Sequence, residues 1–178
     1  MACWNVIDHT ELSGNATEYE KTSIPSSYDH LYFVMSARSD DVVTQSFDEC
    51  DIRLNGDTGS NYTYTQIDAG SSTPSSGDLS ASGQLGFQYV PGPNTLADGF
   101  GTYKLWIPNY ANTSNYKQVL SKWTCPNTSI TDWQWRVGMV AGLWASTAAV
   151  NAFKIYPSGG DNFVQYSSFT LYGINGAG

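Results

Sequence analysis

Residues 132–144 read DWQWRVGMVAGLW, and this stretch decides the fold class. Its apolar side chains recur at every second position, at Trp133, Trp135, Val137, Met139, Ala141 and Leu143. Alternation with period two is typical of a β-strand with one buried face, because successive side chains of a strand point to opposite sides of the sheet. We therefore predict a strand here that turns these side chains, the two tryptophans included, into the core.

The same alternation recurs on both sides of this stretch, and no segment shows the 3.6-residue period of an amphipathic helix. Predicted inward faces are Leu31, Phe33, Met35 and Ala37; Cys50, Ile52 and Leu54; and Tyr103, Leu105 and Ile107. Further strand candidates are residues 4–12, 61–67, 85–90, 116–124, 150–156 and 163–174. Turn sequences at residues 55–57, 91–94 and 158–161 separate these candidates. The Ser- and Gly-rich residues 69–83 are predicted to be an exposed loop.

This pattern favours an all-β fold, an antiparallel, jelly-roll-like β-sandwich of about ten strands. The chain has 178 residues, which suits one domain with one core. We assign residues 23–178 to that domain and residues 1–22 to an N-terminal arm or edge strand.

Charged residues are scarce, at 13% of the chain, whereas soluble domains typically have roughly 25%. Aromatic residues make up 14%, and a neutral, aromatic-rich surface favours a role in contact with other molecules. The net charge is −8, from 16 acidic and 8 basic residues scattered along the chain. Because no Lys/Arg patch could contact a phosphate backbone, we predict no nucleic-acid partner.

The sequence opens without a basic, apolar secretory signal and contains no apolar run long enough to span a membrane. We expect a soluble protein made in a cytoplasm and no membrane partner. Cys3, Cys50 and Cys125 are too widely spaced for a zinc motif and odd in number for a disulfide framework. They are predicted to be reduced thiols that pack as small hydrophobic side chains.

Catalytic and metal chemistry have little support in the sequence. His9 and His30 lie far apart and near no nucleophile motif, so we predict no catalytic residues and no enzyme. A glycosidase would need a pair of carboxylates, and nothing singles out a pair among the 16 acidic residues. Acidic residues that could supply oxygen ligands to calcium are Asp40, Asp41, Asp48, Glu49, Asp51 and Asp57. Their spacing does not match the helical calcium loop, so we predict no metal and no cofactor.

Aromatic side chains are the remaining candidates for contact with a partner. The predicted surface contacts, at outward or loop-proximal positions, are Tyr62, Tyr64, Trp106, Trp123 and Trp144. Such rings stack on sugars or fill a pocket in a partner protein. The alternative is that half or more of these rings pack in the core.

Several short sequences, in their order along the chain, resemble a β-sandwich family of virion proteins from tailed bacteriophages. They are IPSSYDHL at residues 24–31, RLNGDTGSNY at 53–62, KLWIPNY at 104–110, AGLW at 141–144, AAVN at 148–151 and FTLYGI at 169–174. The resemblance implies a structural virion component and supplies no catalytic residues.

A short chain of this kind fits a capsid decoration (cement) protein better than a long fibre. We therefore expect it on the capsid surface of the virion, bound to the major capsid protein and self-associated, for example as a trimer. The alternative is a tail- or fibre-associated β-sandwich that binds a carbohydrate receptor. A glycan-cleaving enzyme is the third and least supported hypothesis.

Overall fold

The computed structural model describes residues 3–41, 47–70, 73–125 and 136–176. These residues contain strands and loops and no helix, so none of them forms a helix long and apolar enough to cross a membrane. The strands are β1 (Trp4–Glu11), β2 (Tyr19–Lys21), β3 (His30–Ala37), β4 (Phe47–Leu54), β5 (Tyr62–Gly70), β6 (Thr73–Ser82), β7 (Leu85–Pro91), β8 (Gly101–Pro108), β9 (Lys117–Cys125), β10 (Arg136–Trp144), β11 (Phe153–Pro157) and β12 (Ser168–Ile174).

Two antiparallel sheets are built from these strands. The larger sheet has the order β1-β12-β3-β8-β9-β10-β5-β6, and the smaller has the order β2-β11-β4-β7. The pairs β3/β12, β4/β11 and β5/β10 are nested along the chain, as in the rolled hairpin of a jelly roll. The predicted all-β, antiparallel sandwich is therefore confirmed.

The core lies between the two sheets and is rich in aromatic rings. Phe33 on β3 contacts Phe153 on β11 with ring centroids 4.7 Å apart, which joins one sheet to the other. Tyr19 on β2 stacks on Phe169 of β12 at 4.9 Å. The inward faces predicted for β3, β4 and β8 are confirmed, because their apolar residues are at most 1% exposed.

β10 is oriented opposite to the prediction. Its buried side chains are Val140 and Trp144, whereas Val137 is 54% exposed. The inward positions between them are Gly138 and Gly142, where a Cβ would lie 2.3 Å from the Trp123 ring and 2.7 Å from the Leu85 side chain. The side chains of Trp123 and Leu85 therefore occupy the core space next to the two glycines, and the apolar face of β10 points outward. Trp133 and Trp135, predicted to be core residues, lie outside the described residues.

Two strands were not expected from the sequence. β2 is only three residues long, and β6 lies within residues 69–83, which were predicted to be an exposed loop. The loop prediction is wrong, because β6 pairs with β5 with one register shift between Tyr62 and Tyr64, whereas the predicted exposure is confirmed for most of the described residues of this segment. Backbone hydrogen bonds hold β6 in the sheet, so its small, polar side chains need not be buried.

The first residues of the chain belong to both sheets. β1 forms one edge of the larger sheet and pairs with β12, with a bulge between Val6 and Asp8. β2 pairs with β11 in the smaller sheet. The Asp8 carboxylate accepts hydrogen bonds from Tyr19 at 3.0 Å and Lys21 at 3.2 Å, which ties the two strands together.

The cysteines are free thiols within the described residues. Cys50 and Cys125 are buried, as predicted for small hydrophobic side chains, and burial raises the pKa of the Cys125 thiol to about 12. Cys3 is exposed, so the packing prediction is wrong for it. It precedes β1, which forms one edge of the larger sheet.

Candidate assembly face and acidic clusters

An apolar row crosses the solvent side of the larger sheet. Strand registers place one residue per strand in line across β10, β9, β8, β3, β12 and β1: Ala141, Leu120, Trp106, Tyr32, Tyr172 and Val6. Leu120 is 38% exposed, Trp106 41% and Val6 60%. These large hydrophobic side chains thus form an apolar row on the solvent-exposed side of the sheet.

A second row lies directly beside the first, on β5, β10, β9, β8 and β3: Ile67, Met139, Lys122, Lys104 and Val34. We call these two rows, together with the exposed Val137, which lies two residues from Met139 on the same side of β10, the outer face. Lys104 and Lys122 are directly opposite each other in the register of β8 and β9, and both are exposed. Within the part of the chain that the structure describes, no carboxylate forms an ion pair with either lysine.

Grooves flank the lysine pair on the outer face. A groove of about 560 Å³ is lined mainly by apolar groups, among them Ile67, Pro74, Val137 and Met139. A second groove of about 560 Å³ runs beside Trp106 and mixes apolar groups with Thr63, Asp78, Ser80 and Gln118. The face therefore has a positive centre, one apolar flank and one mixed flank.

Of the aromatic residues predicted as surface contacts, only Trp106 is exposed. The side chains of Tyr62, Tyr64, Trp123 and Trp144 are buried, so their predicted outward positions are wrong. Each of these four residues lies at an inward position of its strand. The period-two pattern did not show which face they occupy, because Tyr and Trp rings carry a polar group as well as an apolar body.

Two of these rings hold the β4–β5 turn in place. The Tyr62 hydroxyl accepts a hydrogen bond from the backbone N–H of Leu54 at 3.0 Å. Trp144 Nε1 donates to the Asp57 carboxylate at 2.7 Å. Asp57 also accepts from Gly59 N at 2.8 Å and from Asn61 Nδ2 at 2.9 Å. This acidic residue therefore organises a turn, in agreement with the turn predicted at residues 55–57.

The outer-face residues of β10 were missed as candidates because they were assigned to the core. The signal that could have identified them is the pair Gly138 and Gly142. A glycine within a strand often marks a position where another group approaches closely, and Gly138 and Gly142 lie on the same side of β10. In β10 that side is the core, so Val137 and Met139 are left to solvent.

A carboxylate pair lies on the side of β4 that faces away from the core. A Cβ at Gly86 would be 2.5 Å from Glu49 Oε1, 3.2 Å from Asp51 Oδ1 and 3.0 Å from the Tyr64 hydroxyl. Burial, reinforced by the charge of Glu49, raises the pKa of Asp51 to about 7. Gln84 Nε2 donates to Asp51 Oδ2 at 2.9 Å. Asp51 is therefore able to hold a proton near neutral pH.

The remaining acidic candidates separate into two groups at one end of the sandwich. The Asp40 carboxylate accepts hydrogen bonds from Asn162 N at 2.7 Å, Asn162 Nδ2 at 2.9 Å and Asn15 Nδ2 at 3.0 Å, so it fixes a loop. Asp41 and Asp48 instead converge with Asp161, each offering a carboxylate oxygen within 4.8 Å of the others. Burial, together with the charge of Asp41, raises the pKa of Asp48 to about 7.

The histidines make separate structural contacts. His9 Nδ1 lies 2.8 Å from the Thr170 hydroxyl, and His30 Nδ1 accepts a hydrogen bond from Asn109 N at 3.1 Å.

A scan against protein-family models and a search of curated proteins give no match to this sequence. The outer face and the acidic clusters are accordingly interpreted from their own residues.

Proposed function

We propose that this protein is a structural virion component, a capsid decoration protein of a tailed phage, which docks on the outer capsid lattice through its outer face. The observation that carries this proposal is the orientation of β10, whose apolar side chains face solvent while its glycines face the core. The virion location rests on the sequence resemblance. The role proposed is binding and assembly, and release of reducing ends from a host polysaccharide by the purified protein would contradict it.

The exposed apolar area supports a protein partner. Monomeric proteins rarely expose contiguous apolar patches larger than a few hundred Å², and larger patches mark interaction surfaces. Covering apolar surface gains about 25 cal/mol per Å² removed from water. A row that contains Leu120, Trp106 and Val6, all more than a third exposed, offers the kind of anchors on which interfaces depend.

The lysine pair supports the major capsid protein as the occupant over a second copy packed face to face. Two identical faces related by a two-fold axis would bring Lys104 and Lys122 of both copies close together, and like charges repel. A capsid surface with carboxylates opposite Lys104 and Lys122 would form ion pairs with both lysines, and the interface would shield these ion pairs from water. Self-association would then use other surfaces of the decoration protein.

Co-sedimentation with capsids that lack the decoration protein tests the proposal. We expect Leu120→Asp and Val137→Asp each to weaken capsid binding at least tenfold, because each places a charge in the apolar part of the interface. Leu96→Asp is the matched control, since Leu96 is 46% exposed but lies outside the outer face. Equal binding by all three variants, or native protein that dimerises through this face and ignores capsids, would contradict the proposal.

Carbohydrate recognition is the second candidate, and Trp106 is the observation that favours it. Its ring is 41% exposed and borders the groove that contains Asp78, Ser80 and Gln118. Sugars are bound by such a combination of an aromatic ring and polar side chains. A glycan array would show hits for the native protein and for Tyr166→Ala but not for Trp106→Ala. An array without hits would rule this candidate out.

A further inference from the structure

Three carboxylates from separate parts of the chain meet at one end of the sandwich. Asp41 follows β3, Asp48 lies near the start of β4, and Asp161 belongs to the loop between β11 and β12. Their nearest ligand oxygens all lie within 4.8 Å of one another. The fold therefore gathers three formal negative charges from residues far apart in sequence.

Asp48 is the central member of this cluster. It is 6% exposed, and it lies on the inward side of β4 together with Cys50 and Ile52. Its Oδ2 atom is buried and accepts no hydrogen bond from the described residues. Neither Asp48 nor Asp161 forms an ion pair with a described lysine or arginine. A buried carboxylate without a partner is costly, so an oxygen in this position needs a cation or a proton.

We propose that Asp41, Asp48 and Asp161 bind one Ca²⁺ ion. Ca²⁺ takes oxygen ligands at about 2.3–2.6 Å, so two ligands on opposite sides of the ion are about 4.6–5.2 Å apart. Oxygens within 4.8 Å of one another all fit around one such ion. Carboxylates are hard ligands, and a cluster without nitrogen or sulfur disfavours zinc or copper. The buried Ser39 hydroxyl lies beside Asp48 and is a candidate fourth ligand.

The loop that carries Asp161 is built around this carboxylate. At Gly159 a Cβ would lie 2.5 Å from Asp161 Oδ2, so glycine leaves the room that the carboxylate occupies. Gly160 has φ of +86°, a conformation that glycine adopts readily. The hydrogen bonds from Asn162 to Asp40 anchor the other side of the loop. The loop thus places the Asp161 carboxylate close to those of Asp41 and Asp48.

Calorimetry on the full chain, stripped with EDTA and desalted, tests the site with CaCl₂ as the titrant. We expect one ion per chain with a Kd between about 10 µM and 1 mM, at least tenfold tighter than for MgCl₂, which demands a smaller octahedral site. In thermal unfolding, 10 mM CaCl₂ is expected to raise Tm by at least about 3 °C.

Asp48→Asn keeps the shape of the side chain and removes its charge, so we expect this variant to fold with an unchanged or higher Tm without calcium. It should lose the calcium response, and Asp161→Asn should weaken binding at least tenfold. Asp78→Asn, which removes one exposed carboxylate elsewhere, is the matched control. Absence of calcium heat in the native protein, equal affinity for Mg²⁺, or full calcium binding by Asp48→Asn would each overturn the proposal.

Discussion

Glycine at position 138 leaves space for the Trp123 ring in the core. A Cβ there would lie 2.3 Å from Trp123 Cζ2, and the ring is itself held edge-on against Tyr89 at 5.0 Å. Gly138→Ala is therefore expected to lower the free energy of unfolding by about 1–3 kcal/mol through overpacking. Urea unfolding measures the change. Gly14→Ala, where a Cβ meets nothing within 4 Å, should stay within about 0.5 kcal/mol of the native protein, and equal effects of the two variants would contradict this packing.

Asp51 makes stability depend on pH in a direction opposite to that of an ion-paired carboxylate. Its pKa is raised from 3.8 to about 7 in the folded chain, so between these values the folded protein binds the proton and the unfolded chain does not. The free energy of unfolding should therefore fall as pH rises from about 4 to 7. Asp51→Asn removes this titration and should be more stable than the native protein above pH 7, by about 2 kcal/mol. Thermal unfolding from pH 4 to 8 measures it, with Asp78→Asn as control; a pH dependence that Asp51→Asn leaves unchanged would contradict it.

The β4–β5 turn is the element in which one acidic side chain has three hydrogen-bond donors. Asp57 accepts from Trp144, Asn61 and Gly59, and these bonds, the one from Trp144 first, lower the pKa of its carboxyl group. Asp57→Ala leaves the partly buried indole N–H without an acceptor, so we expect a loss of about 1–3 kcal/mol in the free energy of unfolding. The loss should shrink as pH falls below the pKa of Asp57. Asp78→Ala, on exposed β6, should be close to neutral in the same chemical denaturation experiment.

At the scale of single strands, the sequence was sufficient where the side chains of one face were clearly apolar and those of the other clearly polar. β4 meets this condition from Glu49 to Leu54, with Cys50, Ile52 and Leu54 on one side and charged residues on the other, and its inward face was predicted correctly. β10 does not, because its inward positions carry Gly138 and Gly142, whose role depends on rings and side chains from other strands. β6 was missed because its pairing uses backbone groups, about which composition says nothing.

The candidate sites depend on the whole molecule, which is why the sequence identified only part of them. Trp106 was predicted as a surface residue from its own strand, and it is exposed. The outer face needs the register of seven strands, and the proposed calcium site needs a loop contact between Asp48 and Asp161. Asp161 was absent from the acidic candidates because it lies more than a hundred residues from the others in the sequence.

The lysine pair connects the stability of the whole molecule with its proposed function. Lys104 and Lys122 face each other on adjacent strands without a described carboxylate partner, so they repel each other in the free protein. Replacing both with alanine should raise the free energy of unfolding of the free protein by about 0.2–1 kcal/mol and yet weaken capsid binding. Lys154→Ala is the contrasting control: it removes ion pairs with Glu18 and Glu20, should not stabilise the chain, and leaves capsid binding unchanged. Chemical denaturation and co-sedimentation on the same preparations measure both quantities. A double variant that is more stable and still binds capsids fully would remove the lysine pair from the proposed interface, because its charges would then contribute only repulsion in the free protein.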